Sequence, residues 1–272
     1  MTTRLNAAVS AGHIDVSDGS IGVFGPKATE DLSDFQKSAA TLIQGFAPDA
    51  EAWSARGYNT VVRADGPCEL SVVGLPRARD AIKGRIAEAA ALTRGTVIVD
   101  GLKVEGIDAL YKALKARATV GPAFAKAHGK TFVLQPGFDF QDWALAPPRE
   151  VVPGFLTRPG VFSSAGVDKG SALLAEALPK DLSGRWVDLG AGWGWLSAQV
   201  LDRGASHVTL VEADFESVQC AKANLKKEAA TCLWKDATTW TSLEAVDGVI
   251  SNPPFHVNRK SDPSLGIAFI HK

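Results

Sequence analysis

The sequence predicts an α/β protein made of two successive parallel-sheet units, and three observations carry that prediction. Short β-branched apolar runs alternate with helical patterns along most of the chain, as a sheet covered by helices on both faces requires. A proline-rich stretch at 136–160 interrupts the alternation, and a second strand–helix series follows it. A length of 272 residues suits two domains better than one.

In the first half, IGVFG (21–25), TLIQGF (41–46), ELSVVG (69–74), TVIVDG (96–101) and TFVLQ (131–135) read as strands bounded by Gly, Pro or Asp. Ile107, Leu110, Tyr111 and Leu114 recur at helical spacing, and residues 77–93 read as a second helix. Strands that alternate with helices predict a parallel sheet here. Residues 136–160 hold five prolines, at 136, 147, 148, 153 and 159, and read as an extended connector. The second series runs helix 167–178, strand WVDLG (186–190), helix WLSAQVLDR (195–203) and strand HVTLVEA (207–213). Phe215, Val218, Ala221 and Leu225 then form an apolar stripe, with Lys222, Lys226 and Lys227 on the wet side. ATCLWK (230–235) and VDGVISN (246–252) are the last two strands.

Composition excludes several classes. At 46% apolar, 22% charged, mean hydropathy +0.02 and formal charge −1, the chain is neither disordered nor fibrous nor a disulfide-stapled miniprotein. No apolar run approaches the roughly 18–20 residues of a membrane span. The start, MTTRLNAAVSAGHIDVSDG, lacks the basic and apolar regions of a signal peptide. Cys68, Cys220 and Cys232 are odd in number and far apart, which supports neither a disulfide framework nor a CxxC metal site. They read as small buried side chains in a reducing cytoplasm. Charge is uneven: residues 1–76 carry 5 Lys/Arg against 9 Asp/Glu, and residues 77–130 carry 11 against 5. The basic segment, which includes Arg77, Arg79, Lys83, Arg85 and Arg94, is either a face for a polyanion or the solvated side of ordinary helices.

Chemistry concentrates where WVDLG runs into AGWGW and a helix, which brings Asp188, Gly190, Gly192 and Gly194 to one turn. Glycines let the backbone approach a ligand, and a helix N-terminus offers N–H donors. A dinucleotide fingerprint wants a third glycine where Trp195 stands, and an indole there argues against NAD. GxGxG with an acid two residues ahead suits a nucleoside ligand without pyrophosphate, S-adenosylmethionine. Glu212, 22 residues after Gly190, is placed to accept both ribose hydroxyls, or is simply a charged strand end. Asp236 either accepts from an adenine amino group or caps its loop.

The strongest signal is Ser251-Asn252-Pro253-Pro254-Phe255-His256 after the fourth strand of this series. Two prolines remove two N–H donors and force an extended turn with its carbonyls outward. The Asn252 side-chain oxygen and the Pro253 carbonyl can then accept both hydrogens of a planar –NH2 group, and Phe255 offers a stacking surface for a flat base. Hydrogen bonds that favour a pyramidal nitrogen expose its lone pair to an electrophilic methyl. No strong base is needed, because the proton leaves after the amine becomes cationic. A structural Pro-Pro turn is the plain alternative.

From about residue 155 onward the chain resembles the small domain of methyltransferases that modify exocyclic amines. It is most similar to the bacterial ribosomal RNA guanine-N(2) methyltransferases of the small-subunit type. The resemblance rests on RPGVFSSAGVDKGSALLAEALP (158–179), DLGAGWGWLS (188–197), LVEAD (210–214) and SNPPFH (251–256). It implies two tandem Rossmann-like class I methyltransferase domains, S-adenosylmethionine as cofactor, and ribosomal RNA or the small ribosomal subunit as partner, with no metal and no membrane. On that resemblance Phe162, Asp168, Gly170 and Ser171 help wall the cofactor site. Gly190, Gly192, Gly194 and Glu212 contact the cofactor, with Asp188 and Asp236 in the same set. Asn252, Pro253, Pro254 and Phe255 form the catalytic element, and His256 is a pocket-edge residue or a base contact.

The resemblance also implies that residues 1–135 are a degenerate, noncatalytic copy of the fold that helps hold RNA, with Arg77, Arg79 and Lys83 as candidate contacts. ELSVVGLPRAR (69–79) stands where VDGVISNPPFH would, with Gly74 and Leu75 in place of Asn and the first Pro. VFGPKATEDL (23–32) follows its strand without GxGxG. Residues 136–160 link it to a catalytic domain at 161–272. Such a domain has seven strands, yet only four can be placed before Lys272, and SLGIAFIHK (264–272) reads as a helix opening. The expectation is a domain truncated after its fourth strand, either a fragment of a longer protein or a sheet completed by another chain. Methylation of a guanine 2-amino group in ribosomal RNA, 16S by preference, is the leading function. An adenine 6-amino group or a protein glutamine amide are the neighbouring substrates, and a noncatalytic RNA-binding or assembly protein is the alternative class.

Overall fold

The computed structural model describes residues 3–16, 19–76, 78–253, 256–257 and 260–261. Arg77, Pro254, Phe255, the side chains of Arg79 and His256, and the expected helix opening at 264–272 lie outside the described residues. The chain divides into two compact units, residues 1–45 with 49–146, and residues 46–48 with 147–272.

The first unit holds α1 (Thr3–Ser10), β1 (Ile21–Phe24), β2 (Ala40–Ile43), α2 (Ala47–Ala55), β3 (Asn59–Val61), β4 (Leu70–Gly74), α3 (Arg79–Leu92), β5 (Val97–Leu102), α4 (Ile107–Lys115), β6 (Phe124–Lys126) and β7 (Gly129–Leu134). Its seven strands run in the order β3-β2-β1-β4-β5-β7-β6. Alternate strand residues feed two cores. Val72 and Ile98 pack with Leu5, Leu32 and Trp53, whereas Val73, Val97 and Val99 pack with Ile86, Ile107 and Leu114.

Two expectations for this half are corrected. β7 pairs antiparallel with both β5 and β6, so the sheet is mixed rather than parallel. Ala127 and His128 both take positive φ, 49° and 56°, as a two-residue hairpin turn requires, and the chain reverses with no crossover helix. The 136–160 stretch is not a bare connector. Phe140 and Trp143, at a 3₁₀ turn over Gln141–Trp143, are buried in the core of the first unit. Further on, β8 (Arg149–Val152) pairs antiparallel with β9 (Phe155–Thr157).

Helix α1 is pinned by a buried ion pair. Arg4 Nε and Nη2 donate to the two carboxylate oxygens of Asp100, each at 2.8 Å, and Thr131 Oγ1 donates to the same carboxylate. Bidentate geometry and a third donor satisfy the charge that burial strips of water.

The second unit continues with α5 (Lys169–Ala177), β10 (Arg185–Leu189), α6 (Trp195–Asp202), β11 (His207–Glu212), α7 (Phe215–Asn224), β12 (Ala230–Trp234) and β13 (Gly248–Ser251). Its sheet is parallel in the order β12-β11-β10-β13. Val208 and Leu210 face α6 and α7, while Val187, Leu189 and Val211 face Ala237. Among the described residues β13 is an edge, with Val249 56% exposed. A short antiparallel pair, β14 (His256–Val257) and β15 (Lys260–Ser261), follows. No described helix is long and apolar enough to cross a membrane.

Candidate active site

β10 and β13 are neighbours, with Leu189 opposite Ser251. The glycine turn after β10 and Asn252 after β13 therefore leave the sheet side by side at its carboxyl end, where open α/β sheets bind ligands. A crevice of about 380 Å³, part of it continuous with solvent, lies there. Phe162, Asp168, Ser171, Gly190, Gly192 and Asn252 all line it.

The turn is tied to the end of β11. Gly190 and Ala191 N–H groups donate to the Val211 carbonyl at 2.8 and 3.3 Å, and Gly194 N–H donates to Ala191 at 3.0 Å. Gly192 N–H donates to Glu212 Oε2 at 2.8 Å. Those four amides hold the turn together, and they are distinct from the first-turn amides of α6, which begins at Trp195. The glycines also differ. Gly192, at φ +57°, has nothing within 4 Å of where a Cβ would sit, and so keeps a lane of the crevice clear. At Gly194, φ +83°, a Cβ would lie 3.0 Å from Leu225 Cδ1. It is a packing glycine that lets α7 approach, and it lies outside the crevice lining.

The three acids take different places. Glu212 Oε2 and Oε1 accept from the Gly192 and Asp214 amides, the second at 2.7 Å, which leaves lone-pair positions on both oxygens. Burial raises its pKa above the usual carboxylate range, with the backbone amides opposing. Asp188 lies beneath the turn, fully buried. Its Oδ2 accepts from Ser197 Oγ at 2.7 Å, and its Oδ1 has no partner among the described residues. Desolvation pushes its carboxyl up to about 7. Asp236 Oδ1 accepts from the Thr238 amide and hydroxyl at 2.8 and 2.7 Å, so it caps its own turn, away from the crevice lining.

On the opposite wall Asp168 caps α5, its Oδ2 accepting from Ser171 N–H at 3.1 Å. Asn252 Nδ2 donates to Asp168 Oδ2 and to Ser171 Oγ, both at 2.9 Å. Gly170 stands close by: a Cβ there would be 3.0 Å from Asp168 Oδ2 and 3.4 Å from Asn252 Oδ1. Phe162 is 63% exposed at the lip, next to Ser163 in the left-handed region at φ 52°. Pro253 follows Asn252 and is half-buried.

Sequence reasoning missed three contributors. Trp195 entered only as an argument against NAD, yet it and Trp193 line the crevice. Trp193 is buried edge-on against Phe155. Asn224 accepts from Leu156 N–H at 2.7 Å and donates to the carbonyls of Leu156 and Trp193 at 3.0 and 2.9 Å, which ties β9 to the glycine turn. Its place at the end of α7 carried no signal, since the apolar stripe of that helix does not include it.

The basic segment belongs to the first unit, and much of its charge is shared. Arg94 pairs with Glu69, Arg117 with Asp142 and Lys130 with Asp108. The Lys83 ammonium lies 5.1 Å over the Trp143 ring. Among the described residues no group of three His, Cys, Asp or Glu is placed to hold a metal ion.

Residues 153–272 match the family model of the methyltransferase small domain. The ribosomal RNA small subunit methyltransferase C of Pseudomonas syringae pv. syringae is 32% identical over 207 residues, 71% of this chain and 62% of the relative. The protein of the same name from Sodalis glossinidius is 38% identical over 136 residues, 47% of this chain and 37% of the relative. Residues 153–272 thus carry the methyltransferase small domain, and the chain is similar to the small-subunit ribosomal RNA methyltransferases. A solved T. Thermophilus 16S rRNA N2 methyltransferase, in complex with AdoMet and guanosine, superposes with a TM-score of 0.78 at 24% identity, over 95% of this chain and 76% of that one. That likeness establishes the α/β methyltransferase fold. The chain spans less than two thirds of the length of these two curated relatives. The crevice thus lies in the part of the chain that the family model covers.

Proposed function

We propose that this chain transfers a methyl group from S-adenosylmethionine to the exocyclic 2-amino group of a guanine in ribosomal RNA, with 16S rRNA of the small subunit as substrate and the cytoplasm as its setting. The observation that carries the reading is the shared crevice, with the glycine turn on one side and Asn252 on the other. The residues present fit the cofactor. Glu212 has lone pairs left for ribose hydroxyls, Gly192 leaves room for close approach, and Asp188 Oδ1 is a buried acceptor without a partner among the described residues. When bound, S-adenosylmethionine supplies a methyl on a sulfonium, which is electrophilic without further activation. Asn252 Oδ1 and the Pro253 carbonyl accept the two hydrogens of the target amine and orient its lone pair toward the cofactor side of the crevice. The amine then loses its proton to water, so no general base is required. Phe255 and His256, which follow Asn252 in sequence, are assigned to the base itself, and Phe162 at the lip to the wall of the cofactor site.

The first unit is read as a degenerate copy of the second that helps hold RNA. Both sheets begin with the strand order 3-2-1-4. By register, Gly25 follows Phe24 as Gly190 follows Leu189, Gln44 stands where Glu212 does, and Gly74 where Asn252 does. In the first unit, however, Arg85 Nη1 donates to the Gly74 carbonyl at 3.0 Å. Its guanidinium lies against Gly25, where a Cβ would be 2.1 Å from Nη1. The copy therefore has a side chain in the space that the second unit keeps open.

The test is methylation of 16S rRNA and of small subunits with labelled S-adenosylmethionine, followed by nucleoside mass analysis. Label is expected in N2-methylguanosine, and Asn252→Ala is expected to lower the rate about 10²-fold or more while cofactor affinity stays within about threefold. Label in adenosine, label in a glutamine amide, or no transfer by a chain that binds the cofactor would each overturn the proposal.

A further inference from the structure

We infer that Asp168 is a positioning residue that decides which end of the Asn252 carboxamide faces the crevice. A carboxamide is nearly symmetric in shape, and its two orientations differ only in whether oxygen or NH2 points outward. Only the oxygen can accept from an amine; an outward NH2 would meet the target donor to donor. The sequence leaves this choice open, because Asn252 in either orientation satisfies the same motif.

The hydrogen bonds settle the choice. The Asp168 carboxylate accepts and cannot donate, so the group facing it must be Nδ2. The second Nδ2 hydrogen goes to Ser171 Oγ. Ser171 could not impose the orientation alone, since a hydroxyl both donates and accepts. With both hydrogens taken, Oδ1 is the carboxamide atom left to accept from a ligand. Asp168 is itself held as the N-cap of α5 by the Ser171 amide. A side chain at 170 would crowd both Asp168 Oδ2 and Asn252 Oδ1, so glycine there is part of the same arrangement. Turning the carboxamide over would set Oδ1 against the carboxylate and leave Nδ2 without that acceptor. The acceptor is therefore aimed before any substrate arrives, the kind of preorganisation that lowers a barrier without new contacts to the substrate.

The catalytic consequence rests on the proposed methyl transfer, whereas the orientation itself does not, and two measurements separate them. Asp168→Ser keeps a good N-cap for α5 but is too short to reach Asn252. In protein labelled at asparagine amides, the Asn252 side-chain NH2 is expected to exchange slowly with solvent in the parent and markedly faster in Asp168→Ser. Unchanged exchange overturns the inference whatever the activity. In single-turnover methyl transfer, Asp168→Ser is expected to lower the rate roughly 10- to 100-fold, the range for groups that orient a site residue. In an Asn252→Ala background the same change is expected to cost less than about twofold, because nothing remains to be oriented. An equal loss in both backgrounds shows that Asp168 acts otherwise and overturns the inference. Faster exchange in a chain that methylates nothing would keep the orientation role and overturn the proposed function instead.

Discussion

The Gly192 amide donates to Glu212 Oε2 at 2.8 Å, so the carboxylate assigned to the ribose also holds the glycine turn in shape. Removing it has two consequences. Glu212→Ala leaves a buried N–H without its acceptor, and a stability loss of about 1–3 kcal/mol is expected in denaturant unfolding. Calorimetric titration should show affinity for S-adenosylmethionine reduced by at least about tenfold, since charge-assisted bonds to two hydroxyls are lost. A variant that binds as tightly as the parent would take Glu212 out of the cofactor site.

Asp188 makes stability depend on pH in an unusual direction. Its carboxyl is raised to about 7 by burial, so the folded chain holds this proton more tightly than the unfolded chain does. Between about pH 4 and 7 the unfolded state binds fewer protons, and the contribution of this group to stability falls as pH rises. Asp188→Asn keeps the shape and removes the titration. Its unfolding free energy relative to the parent is expected to improve by about 2–3 kcal/mol between pH 5 and pH 8. A difference that stays constant over that range would contradict the assignment.

Two glycines of one turn should respond oppositely. Gly194→Ala adds left-handed strain and a Cβ pressed on Leu225, and is expected to cost roughly 2–4 kcal/mol. Gly192→Ala meets no neighbour and should cost only the strain, about 1–2 kcal/mol. Its methyl enters the crevice, however, so cofactor affinity should fall more for Gly192→Ala than for Gly194→Ala. Thermal unfolding and cofactor titration of the pair measure both effects, and the reverse ranking in affinity would place the ligand elsewhere.

The basic segment of the first unit can be tested through salt. Reversing charge at Arg77, Arg79 and Lys83 is expected to weaken RNA binding and to flatten its salt dependence by about one in log–log slope for each cation that meets a phosphate. An unchanged slope would leave the segment a solvated face, as the pairing of Arg94, Arg117 and Lys130 with carboxylates already makes part of it.

Where local pattern and tertiary role coincide, the fold was legible. Strands β1, β4 and β5 are largely apolar runs because both of their faces are buried, and such runs stand out without any alignment, while β10 and β11 were found from shorter apolar stretches beside Gly and Asp or Glu. β3 and β6 were missed: each is three residues long and carries little apolar signal. The β6–β7 hairpin turns on Ala127 and His128, which lack the Asn-Gly type of signature. α1 escaped because its anchor, Arg4, reads as a surface residue until Asp100 is brought to it from 96 positions away.

The site divides in the same manner. Sequence alone supplied the groups of the proposed chemistry: a glycine turn after a strand, an acid at the end of the next, and an Asn-Pro-Pro segment, each short and read from neighbours along the chain. Only the tertiary structure decided which atoms are free to act. Hydrogen-bond donors and acceptors are shared out through space, so nothing along the chain reveals that Val211 and Glu212 take the turn amides, whereas the loop cap that Asp236 makes with Thr238, two residues on, is local and was legible as one of its two readings. For the same reason only the fold could show that Asp168, 84 positions before Asn252, takes its Nδ2 hydrogen and leaves the oxygen outward.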